Sequence, residues 1–239
     1  MREVHSAVGR RLVLSLAPTL LIPLHPLRAS AKPALDAASR FALDIPDDYV
    51  VSKRKATTGT LFVAGNFPRF SVVSVTAWPL PALLLDDARG RALPGLPTSG
   101  ADVTLAESAT TLGSIGTANS IAQLLLRARD RDASSGALSS ILLSSKLSDD
   151  GSRLAFDYST ELPVSDPDAL QEQRGVRQLI RHTVATSILG SVPGSDGAPV
   201  PAMFSVWASA LQQDWEGDLR EPLEATVASF SVAVKPPTP

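Results

Sequence analysis

Apolar and polar positions alternate with a period of two in several short stretches of the chain, a pattern typical of half-buried β-strands. The clearest stretches are 41–45, where Ala42 and Asp44 separate larger apolar residues, and 154–160, where large side chains alternate with smaller or charged ones. Each stretch is therefore predicted to bury one face. The same pattern, with β-branched and aromatic residues, predicts further strands at 60–64, 70–78, 141–143, 176–189, 203–208 and 229–234.

Two other stretches have the spacing of amphipathic helices. The first follows Thr117, a candidate N-cap, and the second begins near Arg220 with Pro222 in its first turn, where a missing N–H costs little. Arg129 falls on the face of the first helix that is predicted to contact solvent. The apolar faces consist of Ile121, Leu124, Leu125 and Ala128 in the first helix and of Leu219, Leu223, Val227 and Phe230 in the second.

The order of these elements predicts an α+β fold. Strands follow one another in hairpin order with only two helices between them, which favours a central, mainly antiparallel β-sheet flanked by helices over a parallel sheet. Residues 79–113 hold four prolines and several glycines and are predicted to form a long surface loop, a kind of segment that is usually functional or disordered. The proline-rich stretch 235–239 is predicted to be a free tail, because proline cannot extend a β ladder.

The first 31 residues have the composition of a targeting signal. The pair Arg10-Arg11 precedes an apolar run at 12–24, and Ala29-Ser30-Ala31 supplies the small residues of a cleavage site. These three parts together are typical of a twin-arginine export signal. We therefore predict cleavage after Ala31, which leaves 32–239 as one mature domain with its core at 40–234.

Composition removes several classes of function. The chain has no cysteine, which excludes a disulfide scaffold, thiolate metal sites, iron–sulfur clusters and a cysteine nucleophile. Its formal net charge of −2 provides no general attraction to nucleic acid, so no nucleic-acid partner is expected. Apolar residues make up 44% of the chain, which is enough to bury a core.

His182 is the only histidine outside the predicted signal, so any histidine-based catalysis must use it. It lies between Ile180 and Val184 on a strand face, where a packed and hydrogen-bonded histidine is the common case. The sequence contains no G-x-S-x-G nucleophile elbow. We therefore predict that the protein is not an enzyme. The alternative is a small hydrolase in which His182 works with a nearby carboxylate.

Three acidic residues near the second predicted helix form the one candidate metal site. Asp214, Glu216 and Asp218 alternate with Trp215 and Gly217, and carboxylate oxygens are ligands that a hard cation such as calcium or manganese accepts. The alternative is that these acids cap the N-terminus of the helix, where negative charge is favoured.

Several motifs in a fixed order resemble those of the PsbP family, the lumenal extrinsic proteins of photosystem II and their relatives. The best local match is the Ser-Phe-Ser-Val ending at 229–232, and the stretch 41–49 resembles the family's opening strand and turn, with Tyr49 where a tryptophan is common. The resemblance spans 40–234 and implies a central antiparallel sheet between helices. Its other parts are Leu112-Gly113-Ser114 before the first helix, Arg181-His182 in the long strand, Trp207 and Trp215.

The resemblance has one departure. The best-known member of the family has an N-terminal arm that helps to retain calcium and chloride at the manganese cluster, whereas the stretch 32–40 is short and lacks that pattern. The resemblance therefore implies a PsbP-domain relative and not the oxygen-evolving subunit itself.

The resemblance and the predicted signal imply a destination and a partner. The destination is the chloroplast thylakoid lumen, with the protein peripheral on the lumenal side of the membrane. The implied role is a non-enzymatic extrinsic, assembly or stability factor of photosystem II and its oxygen-evolving complex, and an assembly factor of photosystem I is the alternative. Partner contacts are predicted at Arg89 and Arg91 in the 79–113 loop, at an exposed Trp215, and at His182, which would gain charge in an acidified lumen if accessible.

Overall fold

The computed structural model describes residues 30–36, 38, 40–53, 59–89, 93, 96, 109–132 and 139–233. The predicted signal up to residue 29 and the predicted tail at 235–239 lie outside these residues, so both stay predictions. Within the described ranges, no helix is long and apolar enough to cross a bilayer.

Ten strands of the described chain form two antiparallel sheets. The large sheet has the strand order β3-β4-β5-β9-β8-β7-β6, and the small sheet has the order β1-β2-β10. Every recorded strand pair is antiparallel, as predicted. The bounds are β1 Ala31–Leu35, β2 Phe41–Pro46, β3 Val50–Val51, β4 Thr60–Asn66, β5 Ser71–Pro79, β6 Ser139–Leu147, β7 Arg153–Leu162, β8 Leu179–Pro193, β9 Pro199–Leu211 and β10 Ser231–Val232.

Four helices of eight residues or more accompany the sheets in the described part. They are α1 (Leu80–Arg89), α2 (Ala118–Asp132), α3 (Pro167–Arg174) and α4 (Arg220–Ser229). Helices α2 and α4 are the two that the sequence predicts. The predicted α+β class, with a central antiparallel sheet flanked by helices, is confirmed.

Helix α1 corrects the prediction of a loop over 79–113. Strand β5 runs through Pro79, and the helix begins at the next residue, with Pro81 in its first turn. Proline is tolerated there because the first N–H groups of a helix have no partner within the helix. Leu80, Leu83 and Leu84 then lie on one face at i, i+3 and i+4, and all three are buried.

Helix α3 lies between β7 and β8, in a stretch for which the sequence analysis predicts neither a helix nor a strand. Asp166 caps its N-terminus by accepting hydrogen bonds from two backbone N–H groups, and Pro167 takes the first helical position. Gly175 ends the helix in the left-handed conformation at φ 73°. The helix buries no residue, so its local capping residues indicate it better than any apolar periodicity.

Each face of the large sheet is covered by its own layer. Alternation along β9 sends Met203 and Trp207 to one face and Phe204 and Val206 to the other. We call the first the α2 face, because α1 and α2 pack against it, and the second the α4 face, because α4 and the small sheet pack against it. The buried residues of the α2 face include Leu112, Ile121, Leu125, Leu154, Phe156 and Tyr158, and those of the α4 face include Phe41, Ile45, Tyr49, Leu223, Val227 and Phe230.

The small sheet closes the α4 face. Strand β2 buries the alternating residues that the sequence predicts, and β10 covers only two residues because α4 runs on to Ser229. Strand β1 is not predicted from the sequence. It pairs with β2, and the ammonium group of Lys32 donates to the backbone oxygens of Asp47 at 2.6 Å and Tyr49 at 2.8 Å.

Candidate functional site

The α2 face of the sheet becomes polar at one end. Strand register places Tyr158, Thr183 and Ser209 side by side on β7, β8 and β9, and places Thr160 opposite Arg181 in the neighbouring row. Helix α2 covers the apolar part of this face and ends above the polar rows. A cavity of about 230 Å³ lies between the helix end and the sheet. We call it the arginine pocket, and its polar lining is Arg129, Asp130, Ser140, Tyr158, Thr160, Arg181, Thr183 and Ser209.

The guanidinium group of Arg129 turns inward over the sheet, whereas the sequence predicts that it points away from the sheet into solvent. Its guanidinium carbon lies 4.7 Å from the centre of the Trp207 ring and 5.5 Å from that of Tyr158. Electron-rich ring faces attract a cation, which explains the orientation. The Nη1 atom of Arg129 is fully enclosed, although the residue as a whole keeps some contact with solvent.

Arg181 reaches the same pocket from strand β8. Its Nη1 donates to the backbone oxygen of Phe70 at 3.1 Å and to the Ser209 hydroxyl at 3.0 Å. Burial lowers the pKa of the Arg181 guanidinium. Burial, together with the positive charge of Arg181, also lowers the pKa of Arg129 to about 10. Two guanidinium groups therefore share one poorly solvated space.

Three buried polar atoms in the pocket have no hydrogen-bond partner within the described chain: Arg129 Nη1, Tyr158 OH and Thr183 Oγ1. Asp130, the one acid that lines the pocket, accepts from the Ser140 hydroxyl at 3.0 Å. Burial raises the pKa of the Asp130 carboxyl group, against that hydrogen bond and the charge of Arg129. The pocket therefore offers hydrogen-bond donors and two cations against one carboxylate.

His182 lies on the α4 face, next to the same end of the sheet. Its ring stacks on Trp215 with ring centres 4.2 Å apart, and its Nε2 is 3.8 Å from Asp157 Oδ2. Its side chain is 13% exposed, so the packed histidine expected from the sequence is the one observed. Burial lowers the pKa of His182, while the Asp157 carboxylate and a hydrogen bond to Gln212 oppose that shift.

The contacts of His182 do not form a hydrolytic triad. The Ser144 hydroxyl donates to Asp157, so the carboxylate stands between the serine and the histidine. A triad needs the imidazole in the middle, where it can take the proton of the nucleophile. Among the residues that the structure describes, no hydroxyl bonds to His182, and His182 does not line the arginine pocket.

Trp215 is buried, with 5% of its surface exposed. The prediction that an exposed Trp215 contacts a partner is therefore wrong. The ring fills the space between His182 and the start of α4, and it belongs to the core of the α4 face. Three other contacts are predicted. His182 is 13% exposed beneath Trp215, Arg89 is the last residue of α1, and Arg91 lies outside the described residues, so all three contacts stay predictions.

Asp214, Glu216 and Asp218 do not converge on a common point. Arg69 bonds Asp218 through two nitrogens, at 2.5 and 3.1 Å, and lies 3.7 Å from Asp214. Glu216 instead accepts from the Gln212 amide at 2.5 Å. Within the described ranges, no three metal-ligating side chains lie close enough together to hold an ion. The arrangement expected for calcium or manganese is thus replaced by an ion pair that ties the β4–β5 turn to the segment before α4.

Exposed apolar side chains lie on β3 and in the β4–β5 turn, toward one edge of the large sheet. Phe67 and Phe70, in the turn between β4 and β5, are 49% and 48% exposed, and Val50 and Val51 on β3 are 64% and 46% exposed. We call these four residues the aromatic end. Phe70 is held in the left-handed conformation at φ 52°. Its backbone oxygen accepts from Arg181, and the Arg174 guanidinium lies 5.3 Å from its ring centre.

The described chain is thus an α+β protein whose large sheet carries a cationic pocket and an exposed aromatic end side by side. No protein-family model matches the sequence, and no curated protein matches it. Among solved structures, it is similar to cyanobacterial PsbP from Synechocystis, with 16% identity, coverage of 92% of this chain and 99% of that chain, and a TM-score of 0.49. This PsbP is one of the solved structures to which the chain is similar.

Two further solved structures are similar. One is the Ran-binding protein Mog1p of Saccharomyces cerevisiae, with 8% identity, coverage of 85% of this chain and 96% of that chain, and a TM-score of 0.42. The other is LpqN, a Mycobacterium tuberculosis protein involved in cell envelope biogenesis, with 12% identity, coverage of 85% and 91%, and a TM-score of 0.29. These proteins have different roles, so the fold alone assigns none of them to this chain.

Acidification is expected to lower the free energy of unfolding of the wild-type protein more than that of a His182→Gln variant. Because burial lowers the folded-state pKa of His182, the unfolded chain binds more protons below about pH 6.5, and stability falls with pH in that window. Asp157 and Glu224 oppose this effect and Arg220 adds to it, so the difference in unfolding free energy between the two proteins should be small. Urea unfolding of both proteins from neutral pH to below the pKa of free histidine measures it, and parallel curves would contradict the expectation.

Proposed function

We propose that the protein is a non-enzymatic PsbP-domain factor of the thylakoid lumen that binds photosystem II, as an extrinsic, assembly or stability factor. Three features support the proposal. The first is the order of PsbP-like motifs, the second is the predicted twin-arginine signal, and the third is that His182 stacks on Trp215 while the Asp157 carboxylate stands between it and Ser144. The observation that carries it is the aromatic end, an exposed apolar surface that the fold holds in place.

The motifs that carry the resemblance do not themselves offer a binding surface. Phe41, Tyr49, Trp207, Trp215 and Phe230 are all buried, with 5% exposure or less. They therefore maintain the fold, and partner binding must use other residues. Aromatic side chains and arginine are enriched at protein interfaces, and the guanidinium of Arg174 lies over the Phe70 ring of the aromatic end.

The aromatic end is suited to a protein contact because its geometry is already fixed. The backbone of Phe70 is held by Arg181, and the preceding Arg69 is held by Asp218. The ring of Phe67 lies over Gly65, where an added Cβ would come within 3.4 Å of it. A partner therefore pays little conformational entropy to bind these side chains.

The test replaces the two exposed rings and measures recovery of photosystem II from gently solubilised thylakoids. A Phe67→Ser, Phe70→Asn variant is expected to recover at least about tenfold less photosystem II than the wild type, which corresponds to about 1.4 kcal/mol of binding free energy. Asparagine is chosen at position 70 because it tolerates the left-handed conformation that Phe70 adopts.

A matched control uses exposed apolar residues at the opposite edge of the sheet. Ile141 and Leu143 on the edge strand β6 are 62% and 51% exposed, and an Ile141→Ser, Leu143→Ser variant should recover photosystem II like the wild type. Recovery of photosystem I subunits alone would favour the alternative role in photosystem I assembly. If the wild type recovers neither photosystem, or if both variants bind equally well, the proposal is overturned.

A further inference from the structure

We propose that the arginine pocket is a ligand site for a carboxylate group, supplied either by a small organic acid or by the carboxylate of a bound peptide. The inference does not depend on the proposed function, because it rests on the lining of the pocket alone. The site lies under the end of α2, on the face of the sheet opposite His182.

The charges in the pocket call for an anion. Arg129 and Arg181 bring two positive charges, and Asp130 brings at most one negative charge. Neither guanidinium has a recorded ion pair with Asp130, whose oxygen instead accepts from Ser140. Burial lowers the pKa of both arginines, because a charged guanidinium group is less well solvated inside the pocket than in water. One bound negative charge would balance the pocket.

The unused hydrogen-bond donors belong to three residues that line the pocket. Tyr158 and Thr183 are directly opposite each other on β7 and β8, they are 2% and 0% exposed, and their hydroxyl groups lack partners within the described chain. Arg129 Nη1 also lacks one there. Buried polar groups are normally hydrogen-bonded, so three of them in one cavity indicate that something binds there. A carboxylate has two oxygens with about four acceptor positions and can accept from all three groups.

Size and charge narrow the class of ligand. A volume of about 230 Å³ is smaller than the 300–1,000 Å³ typical of drug-sized ligands, so a small acid or a single side chain fits and a nucleotide-sized cofactor does not. The walls include Val72 and Leu162, which favour an apolar body behind the anionic group. A phosphate group carries close to two negative charges, more than the single unmatched positive charge, whereas a carboxylate carries one.

The test titrates the full-length protein with benzoate, inorganic phosphate and neutral benzamide by calorimetry and by thermal unfolding. Benzoate is expected to bind with a Kd of about 1 mM and to raise the unfolding temperature, while benzamide does neither. Stronger binding of phosphate than of benzoate would overturn the carboxylate assignment. If benzoate does not bind even at tens of millimolar, the site itself is overturned, and ordered water is then the expected occupant of the pocket.

Variants locate the binding to this pocket. Arg129→Met is expected to weaken benzoate binding at least about tenfold, whereas Arg127→Met, an exposed arginine on the same helix, leaves it unchanged. Because Arg181 also holds the backbone of Phe70, its loss affects the fold, so Thr183→Val and Tyr158→Phe serve as the second test. Each removes one hydroxyl group and should weaken binding by a smaller factor. Unchanged binding in Arg129→Met and Thr183→Val would refute the proposal.

A peptide titration separates the two sources of the carboxylate. A short peptide with a free C-terminal carboxylate is compared with the same peptide in amidated form. Tighter binding of the free-acid peptide than of benzoate identifies a partner's terminus as the source, and the reverse order identifies a small acid. Because this test uses no photosystem, its failure would leave the proposed binding through Phe67 and Phe70 intact.

Discussion

A Trp207→Ala variant is expected to lose about 3–5 kcal/mol of unfolding free energy, the largest loss from a single substitution on the α2 face. Trp207 is 1% exposed, and its indole N–H donates to the Thr76 hydroxyl at 2.9 Å. Its ring meets Trp78 and Phe156 edge-on, with ring centres at 6.0 and 5.4 Å. The alanine leaves a cavity and removes these contacts together.

The measurement is urea unfolding followed by circular dichroism, because the substitution removes one of the fluorescent residues. Trp207→Phe is the matched control. It keeps most of the ring volume and the ring contacts, but leaves the Thr76 hydroxyl without its buried donor, so it should cost about 1–2 kcal/mol. Equal losses in the two variants would show that the hydrogen bond, and not the packing, accounts for the stabilisation by Trp207.

The strands could be predicted because their signal is local. In β7 the alternation at 154–160 corresponds to buried residues on the α2 face, and in β2 the residues of 41–45 alternate in the same way. This alternation of buried and exposed residues is expected in any fold that buries one face of a sheet, so it can be seen in the sequence without knowledge of the fold. Helix α2 was predictable for the same reason, since its apolar residues are spaced for a single buried stripe.

Helices α1 and α3 were not predicted from the sequence, and the reason is the same for both. Both α1 and α3 carry a proline near their first residue, and proline in a stretch without long periodicity suggests a turn. Proline is nevertheless compatible with the start of a helix, because the N–H groups of the first turn have no partner within the helix. In α1 the three leucines at i, i+3 and i+4 were the available signal, and in α3 it was Asp166 before Pro167.

The arginine pocket could not be predicted from the sequence. Arg129 lies 52 positions before Arg181, and only the strand register and the end of α2 bring them into one cavity. A charged residue on a helix is usually solvated, so nothing local indicates that Arg129 turns toward Trp207. The acids at 214–218 are the opposite example. Their spacing suggests a metal site, but Arg69, which is distant in the sequence, forms ion pairs with Asp214 and Asp218.

The second large expected effect lies on the opposite face of the sheet. A Phe230→Ala variant should lose about 3–5 kcal/mol of unfolding free energy, because its fully buried ring contacts Phe41 with ring centres 6.2 Å apart and closes the end of α4. Phe230 belongs to the Ser-Phe-Ser-Val stretch that carries the resemblance to the PsbP family, so a large loss would assign that motif to folding. A loss below about 1 kcal/mol would contradict this and leave the motif free for another role.

The two faces should contribute independently, because Trp207 and Phe230 pack into separate clusters on either side of the sheet. The two alanine substitutions together would approach the whole stability of a domain, about 5–15 kcal/mol, so the conservative pair Trp207→Phe and Phe230→Leu is the better test. Their losses should add to within about 0.5 kcal/mol in the double variant. A larger deviation would mean that β9, which lies between the two layers, transmits packing changes from one face to the other. In that case a ligand in the arginine pocket, which contacts Trp207 through Arg129, would also alter the layer formed by α4 and the small sheet.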